Sequence, residues 1–320
     1  MARLPSLLLL PAVLACARNE TRPGLVVAHA GSLAVPLRAA LDSFSAATGT
    51  PIRTVSAGSV ELARRVTDLR DIPDVLALAD EEVFPKLLMP EHVRWYVTFA
   101  RNRMVIAYAL HARHAADVDS TGWWRVLSRR DVEVGRSDPA LDPAGYRALM
   151  VLQLAARAYD EPGLPDSVLA RSPARNVRPK SSDLIALLQT GALDYAFVYE
   201  SSARNAGLRW LALPAAINLG DDASAAAYAA ASVRIPGSTR ADTVVVTGAP
   251  IRYALSIPSE ARNPAAAAEL VVFLIGREGR ALLGRAGLDV GITPRVVGDG
   301  APPAVRDALV APTVRADTAH

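Results

Sequence analysis

The sequence predicts an α/β fold made of two lobes with mainly parallel sheets, joined by two hinge crossings. Short apolar runs of strand length alternate with stretches whose apolar residues recur at helical spacing, and this alternation is typical of α/β proteins. The middle of the chain carries a strand and helix set of its own, and the 320 residues are enough for two lobes. We therefore assign residues 24–106 and 253–296 to lobe 1, residues 107–252 to lobe 2 and residues 297–320 to a loose tail.

Lobe 1 is predicted from apolar runs that end at glycine, proline or serine. A helix begins at Leu33, where Leu37, Ala40, Leu41 and Phe44 follow at helical spacing, and it ends at Gly49. The remaining predicted elements before the first crossing are strand 25–28, strand 52–55, helix 60–69, strand 74–78 and a buried strand at 104–110.

Lobe 2 is predicted in the same way, and the chain then returns to lobe 1. Two lobes with two crossings form a cleft that can close on a small ligand. The predicted elements are a helix that contains Trp123-Trp124, strand 132–135, helix 145–159, a Pro/Arg-rich stretch at 161–180, helix 183–190, strand 194–199, the returning strand 251–257 and helices 264–276 and 278–286.

The N-terminus is typical of an export signal, with one basic residue before a short apolar core. Val13-Leu14-Ala15-Cys16 resembles a bacterial lipobox, which is cut before the cysteine so that Cys16 carries the lipid. We expect signal residues 1–16 and a periplasmic protein anchored by lipid to a bacterial membrane. Ordinary cleavage a few residues later, with loss of Cys16, is the alternative.

Composition excludes several other classes of function. Cys16 is the only cysteine, so the mature chain is expected to lack disulfides, thiol catalysis and cysteine metal sites. The formal charge of +3 is small for this length, and no basic run is interleaved with aromatic residues. Nucleic acid is therefore not an expected partner.

Two near-identical tetrapeptides, Ala30-Gly31-Ser32-Leu33 and Ala57-Gly58-Ser59-Val60, lie where a predicted strand meets a predicted helix. At such a junction glycine permits a tight turn, and serine can cap the helix and donate its hydroxyl. The helix dipole adds partial positive charge at the same place. The two motifs predict a cradle for a small oxyanion.

Several collinear segments between residues 25 and 290 carry a family resemblance. The chain resembles the tungstate/molybdate-binding receptors of ABC importers, of the WtpA type. The segments are Ala30-Gly31-Ser32-Leu33-Ala34-Val35-Pro36, Ser56-Ala57-Gly58-Ser59-Val60, residues 74–80, residues 95–102, Asp142-Pro143-Ala144-Gly145-Tyr146-Arg147, Val177-Arg178-Pro179-Lys180, residues 193–199 and Ile217-Asn218-Leu219-Gly220.

The resemblance implies a type II periplasmic-binding-protein fold that holds one tetrahedral dianion between its lobes. It implies a monomeric receptor, not an enzyme, that needs no cofactor and passes molybdate or tungstate to the membrane subunits of an ABC permease. The oxyanion contacts it implies are Gly31, Ser32, Ser59, Asp142, Pro143, Ala144, Ser181 and Tyr199.

One implied contact departs from the family pattern, because the family has a glutamate where this chain has Ser181. Asp142 is then the single carboxylate expected to contact Mo or W directly, and we expect four-coordinate binding. We also expect Lys180 to balance Asp142, Arg147 to pair with a surface carboxylate and His29 to be a structural histidine.

Other hypotheses stay open on the sequence. Within the binding class, the ligand can be another oxyanion such as sulfate or thiosulfate, and the receptor can sense rather than transport. Tungstate and molybdate share charge and nearly share size, so the sequence does not separate them. An exported hydrolase would use Ser32 or Ser59 with His29 as base, but neither serine lies in a Gly-x-Ser-x-Gly motif.

Overall fold

The computed structural model describes residues 22–237 and 242–310. The predicted signal and Cys16, together with residues 311–320 of the predicted tail, lie outside the described residues. The strands, in chain order, are β1 Leu25–Ala30, β2 Ile52–Ala57, β3 Val75–Leu78, β4 Trp95–Arg101, β5 Met104–Tyr108, β6 Val134–Ser137, β7 Val177–Arg178, β8 Tyr195–Tyr199, β9 Arg209–Ala212, β10 Ser232–Pro236, β11 Thr243–Thr247, β12 Arg252–Ser256 and β13 Arg295–Gly298.

Helices separate most of these strands, as the helical spacing of apolar residues predicts. The α-helices, in chain order, are α1 Ala34–Thr48, α2 Ser59–Thr67, α3 Trp123–Leu127, α4 Pro143–Ala158, α5 Leu164–Leu169, α6 Ser181–Gln189, α7 Glu200–Asn205, α8 Ala225–Tyr228, α9 Pro264–Ile275, α10 Arg277–Arg285 and α11 Pro303–Val310.

Lobe 1 is built on a six-stranded sheet in the order β13-β4-β12-β3-β1-β2. Strand β1 is parallel to β2 and β3, whereas β12 is antiparallel to β3 and β4, and β13 is antiparallel to β4. Helices α1, α2, α9 and α10 pack in this lobe, and their apolar faces bury the sheet. The lobe is therefore discontinuous in sequence.

Lobe 2 is built on a five-stranded sheet in the order β7-β6-β8-β5-β9. Strand β6 is parallel to β7 and β8, and β5 is antiparallel to β8 and β9. The antiparallel pair β10–β11 lies beside α4. The two-lobed α/β fold predicted from the sequence is confirmed.

Three details of the prediction are wrong. The sheets are mixed rather than mainly parallel, because β12 and β13 pair antiparallel in the first sheet and β5 pairs antiparallel with β8 and β9 in the second. Residues 104–106, assigned to lobe 1, belong to β5 in the second sheet. The described part of the predicted loose tail is ordered: β13 pairs with β4, and α11 packs on α9 with Val305 fully buried.

Among residues 22–237 and 242–310, no helix combines the length and the apolar character needed to cross a membrane.

The two sheets direct their strand ends at a common region. Strands β1, β2 and β3 of lobe 1 end just before Gly31, Gly58 and Ala79, and β8 of lobe 2 ends at Tyr199. In open α/β sheets, ligands bind at the carboxyl ends of such strands. The fold therefore presents the predicted site residues at the interface between the lobes.

Candidate oxyanion site

The two Gly-Ser motifs form the predicted strand-to-helix junctions. Strand β1 leads through a short 3₁₀ turn at Gly31–Leu33 into α1, and β2 leads through Gly58 into α2, whose first residue is Ser59. Both serines are buried, with Ser32 at 6% and Ser59 at 0% exposure. The local geometry predicted for the cradle is present.

Both glycines lie where the lobes touch. A β-carbon on Gly58 would lie 2.2 Å from the carbonyl oxygen of Leu141, and one on Gly31 would lie 2.8 Å from Ser182 Oγ. The N–H groups of Val60 and Glu61 donate to the same Leu141 carbonyl, at 3.0 and 3.1 Å. The cleft is thus closed at these junctions, and a larger residue would hold it apart.

Asp142 accepts hydrogen bonds at the starts of two helices. Its Oδ1 accepts from the N–H of Ala144 in α4 at 3.1 Å, and its Oδ2 accepts from the N–H of Ser181 in α6 at 2.6 Å. Pro143 occupies the first position of α4, where its missing N–H is no loss. Burial raises the pKa of the Asp142 carboxyl, and the N–H bonds from Ala144 and Ser181 oppose that rise. Asp142 is therefore a cap that fixes α4 and α6 relative to each other.

Lys180 does not balance Asp142, so that expectation is wrong. Its Nζ lies 3.8 Å from Asp183 Oδ1, three residues along the chain. Because Asp142 draws its hydrogen bonds from backbone N–H groups, it does not need a lysine beside it.

Three predicted site hydroxyls each accept a hydrogen bond from a fixed protein donor. Ser59 Oγ accepts from the N–H of Ala79 at 3.0 Å, and Ser32 Oγ lies 3.0 Å from the hydroxyl of Tyr253. The Tyr199 hydroxyl accepts from Arg147 Nη1 at 2.7 Å. Burial raises the pKa of Tyr199 well above its ordinary value, so its hydroxyl stays protonated at neutral pH.

Arg147 is buried at the centre of the interface and not paired at the surface, so that expectation is also wrong. Its Nη2 lies 3.0 Å from Asp80 Oδ2, and its Nη1 donates to the carbonyl of Ala79 at 2.7 Å. Arg147 belongs to α4 of lobe 2, whereas Asp80 follows β3 of lobe 1, so the pair joins the lobes. Although burial alone lowers the pKa of Arg147, the neighbouring Asp80 carboxylate reverses the effect and raises it.

The neighbour of Arg147 reinforces this contact. The hydroxyl of Tyr146 donates to Asp80 Oδ2, and the N–H of Glu82 donates to Oδ1 at 3.0 Å. Neither Asp80 nor Tyr146 was predicted as a site residue, although both lie within segments that carry the family resemblance.

His29 has a structural environment. It is 3% exposed, and its Nδ1 lies 2.9 Å from the carbonyl oxygen of Ala30. Burial lowers the pKa of His29 below 6.5. A neutral ring with Nδ1 donating to that carbonyl satisfies both observations.

One network of protein contacts connects the residues of both lobes that were predicted to bind the oxyanion. Tyr253 contacts Ser32 and stacks edge-on against Tyr199, with ring centroids 5.8 Å apart. Arg147 connects Tyr199 to Ala79, whose N–H reaches Ser59. In the described part of the chain, no group of three His, Cys, Asp or Glu side chains is placed to hold a metal ion.

The chain is similar in sequence to a family of known proteins. Residues 25–289 match the family model described as bacterial extracellular solute-binding protein. An uncharacterized solute-binding protein of Petrotoga mobilis is 42% identical over 260 residues, which are 81% of each chain. The molybdate/tungstate-binding protein WtpA of Thermococcus kodakarensis is 33% identical over 289 residues, covering 82% of this chain and 80% of that protein.

Among solved structures, the periplasmic molybdate-binding protein of Azotobacter vinelandii has the same fold, with a TM-score of 0.59 at 18% identity. The similarity covers 82% of this chain and 98% of that one. The family consists of binding receptors rather than enzymes, which confirms the non-enzymatic interpretation. This chain belongs to the bacterial extracellular solute-binding protein family.

Proposed function

We propose that this receptor captures molybdate or tungstate between its lobes and delivers the ion to an ABC permease. The observation that carries the proposal is the convergence of the buried hydroxyls of Ser32, Ser59 and Tyr199, from both lobes, in one network of contacts. Relatives that are one third identical over most of the chain include proteins named for these two ions.

Hydroxyls and helix starts suit a tetrahedral dianion. Its four oxygens only accept hydrogen bonds, so a pocket of donors favours it over an anion that carries a proton. Hydrogen bonds to charged groups contribute roughly 1.5–3 kcal/mol each, so five to seven of them support nanomolar affinity, about −12 kcal/mol. The starts of α2, α4 and α6 add the favourable ends of three helix dipoles.

Asp142 bears on how the ion is bound. Both of its oxygens already accept a backbone N–H, and Ser181 offers no second carboxylate. We propose that the ion keeps its four oxygens as ligands, that Asp142 acts mainly through the helices it caps, and that Ser181 donates a hydrogen bond. For Asp142 to bind the metal directly, one of these two carboxylate oxygens would have to use its remaining lone pair as well.

A panel of anions tests the assignment. Tungstate and molybdate, each at about a hundredfold excess over the dissociation constant, should stabilise the purified protein by about 2.7 kcal/mol in thermal unfolding. Phosphate at equal concentration should leave the melting temperature unchanged. Equal stabilisation by phosphate, or stronger stabilisation by sulfate, contradicts the proposal.

Two serine variants test the site itself. Ser59→Ala and Ser32→Ala should each weaken tungstate binding about tenfold by calorimetry, because each removes a donor to a buried anion. Ser43→Ala is the control, since Ser43 bonds Glu278 at the surface of lobe 1. Unchanged affinity in both site variants would move the site elsewhere.

A further inference from the structure

Asn102 lies at the crossing between β4 and β5 and is buried, with 8% exposure. The N–H of Arg103 donates to its Oδ1 at 2.9 Å, which fixes the orientation of the amide, since an amide nitrogen could not accept that bond. The Nδ2 of Asn102 therefore faces Ser201 Oγ at 2.7 Å and the Tyr253 hydroxyl at 3.0 Å. Asn102 donates to both.

Tyr253, on β12, accepts a hydrogen bond from Asn102 and donates one to Ser32. Its hydroxyl oxygen accepts from Asn102, so its own proton is free for the nearest acceptor, Ser32 Oγ at 3.0 Å. Burial raises the pKa of Tyr253 to about 12, and the hydroxyl keeps that proton at neutral pH. Ser32 Oγ is then an acceptor towards Tyr253, and its own proton points elsewhere.

The other two site hydroxyls are constrained in the same sense. A guanidinium cannot accept a hydrogen bond, so the Tyr199 hydroxyl must accept from Arg147 Nη1. A backbone N–H cannot accept either, so Ser59 Oγ must accept from Ala79. The hydroxyl oxygens of Ser32, Ser59 and Tyr199 therefore each accept one hydrogen bond from a protein donor.

We propose that Asn102 and Tyr253 form a relay that commits the Ser32 hydroxyl to donating into the anion site, as Arg147 commits Tyr199. Asn102, Tyr253 and Arg147 are positioning residues in this inference, which rests on the proposed function. The relay favours an anion without a proton, because the Tyr253 proton already occupies one of the two lone pairs of Ser32 Oγ, and the hydroxyl gains most by offering its own proton to an anion oxygen. It also makes a residue of the lobe crossing a determinant of anion affinity.

Two substitutions test the relay. Tyr253→Phe keeps the ring but frees the Ser32 hydroxyl, and tungstate should bind about fivefold to tenfold more weakly. Phosphate should lose less than tungstate does, because the freed hydroxyl can accept its proton, so the ratio of the two affinities narrows. Asn102→Asp replaces the donor by an acceptor and draws the Tyr253 proton away from Ser32, so it should weaken tungstate at least as much.

Matched controls separate the relay from general effects. Tyr195→Phe removes another buried tyrosine hydroxyl, which donates to the backbone carbonyl oxygen of Arg113 at the opposite end of β8 from Tyr199. Arg103→Gln changes the charge by the same amount as Asn102→Asp, one residue away, without altering the relay atoms. Both controls should bind tungstate within twofold of the wild type.

A double-mutant cycle with Ser32→Ala decides whether the effect passes through Ser32. In the Ser32→Ala background, Tyr253→Phe should change tungstate affinity less than twofold, since the receiving hydroxyl is gone. An unchanged affinity in Tyr253→Phe alone, an equal loss for tungstate and phosphate, or the full loss persisting without Ser32 overturns the relay. A wild type that binds no oxyanion overturns the proposed function, and the relay with it.

Discussion

The ion pair between Asp80 and Arg147 is buried and joins the two lobes. We predict that Asp80→Asn strongly destabilises the protein, although the side chain keeps its shape. The substitution places an amide NH₂ or a neutral oxygen where Arg147 Nη2 lies 3.0 Å from a carboxylate, in a site where both residues are less than a tenth exposed. Arg147 would then be a buried cation without a counter-charge.

The loss of stability in Asp80→Asn depends on the hydrogen-bond partners that Arg147 retains. Removal of one member of a buried ion pair costs about 3–5 kcal/mol. Arg147 retains two neutral acceptors, the Ala79 carbonyl and the Tyr199 hydroxyl, so we expect the lower end of that range. At roughly 2–4 °C per kcal/mol for a protein of this size, the melting temperature should fall by about 6–12 °C.

Thermal unfolding of a four-member cycle measures this prediction. Arg147→Met should also destabilise, and the double variant Asp80→Asn with Arg147→Met should lose less than the sum of the two, because no lone charge remains. Asp71→Asn, which removes an exposed partner of Arg65, is the control and should cost under about 1 kcal/mol. A shift below 2 °C in Asp80→Asn, or strict additivity in the cycle, refutes the reasoning.

Three further predictions concern pH, coordination and anchoring. Burial holds the pKa of His29 below 6.5, so as the pH falls the unfolded chain takes up a proton at this residue before the folded chain does. The free energy of unfolding should therefore decrease as the pH falls below 6.5, and His29→Gln should make the melting temperature depend less steeply on pH in that range. An unchanged pH dependence in His29→Gln contradicts this prediction. Ser181→Glu should move the X-ray absorption edge of bound tungstate towards six-coordination, and a six-coordinate edge in the wild type would show that the second carboxylate is unnecessary. Metabolic palmitate labelling should disappear in Cys16→Ser, and label that persists excludes lipidation at that residue.

Much of the fold follows from local sequence signals. The strands at 25–28, 52–55 and 74–78 were predicted within two residues at either end. The first and third are buried apolar runs, whereas the second is a half-exposed run rich in β-branched residues between Pro51 and Gly58. Strand β4 was not predicted: Trp95–Arg101 is buried on both faces except at its last residue, so it shows no alternation, and Thr98 interrupts its apolar character. The β10–β11 pair was missed as well, since its two strands are mostly exposed.

The site divides in the same way. The Gly-Ser junctions and the Asp142 cap depend on neighbours in sequence, and both were visible as motifs. The partners Asp80, Arg147 and Tyr253 could not be predicted in their roles. Tyr146 lies 66 residues after its partner Asp80, and Arg147 is the next residue along the chain. Ser32 and Tyr253 are 221 residues apart. Only the folding of both sheets brings such residues together.

The position of a bound tungstate ion tests the central claim most directly. Tungsten scatters anomalously, so a crystal of the complex locates the ion without assumptions about the site. We predict a single strong peak between the lobes, with oxygens within hydrogen-bond distance of the Ser32, Ser59 and Tyr199 hydroxyls. A peak held instead by Arg101, Arg103 and Arg204, which line a cavity of about 230 Å³ beside the crossing, would contradict the account.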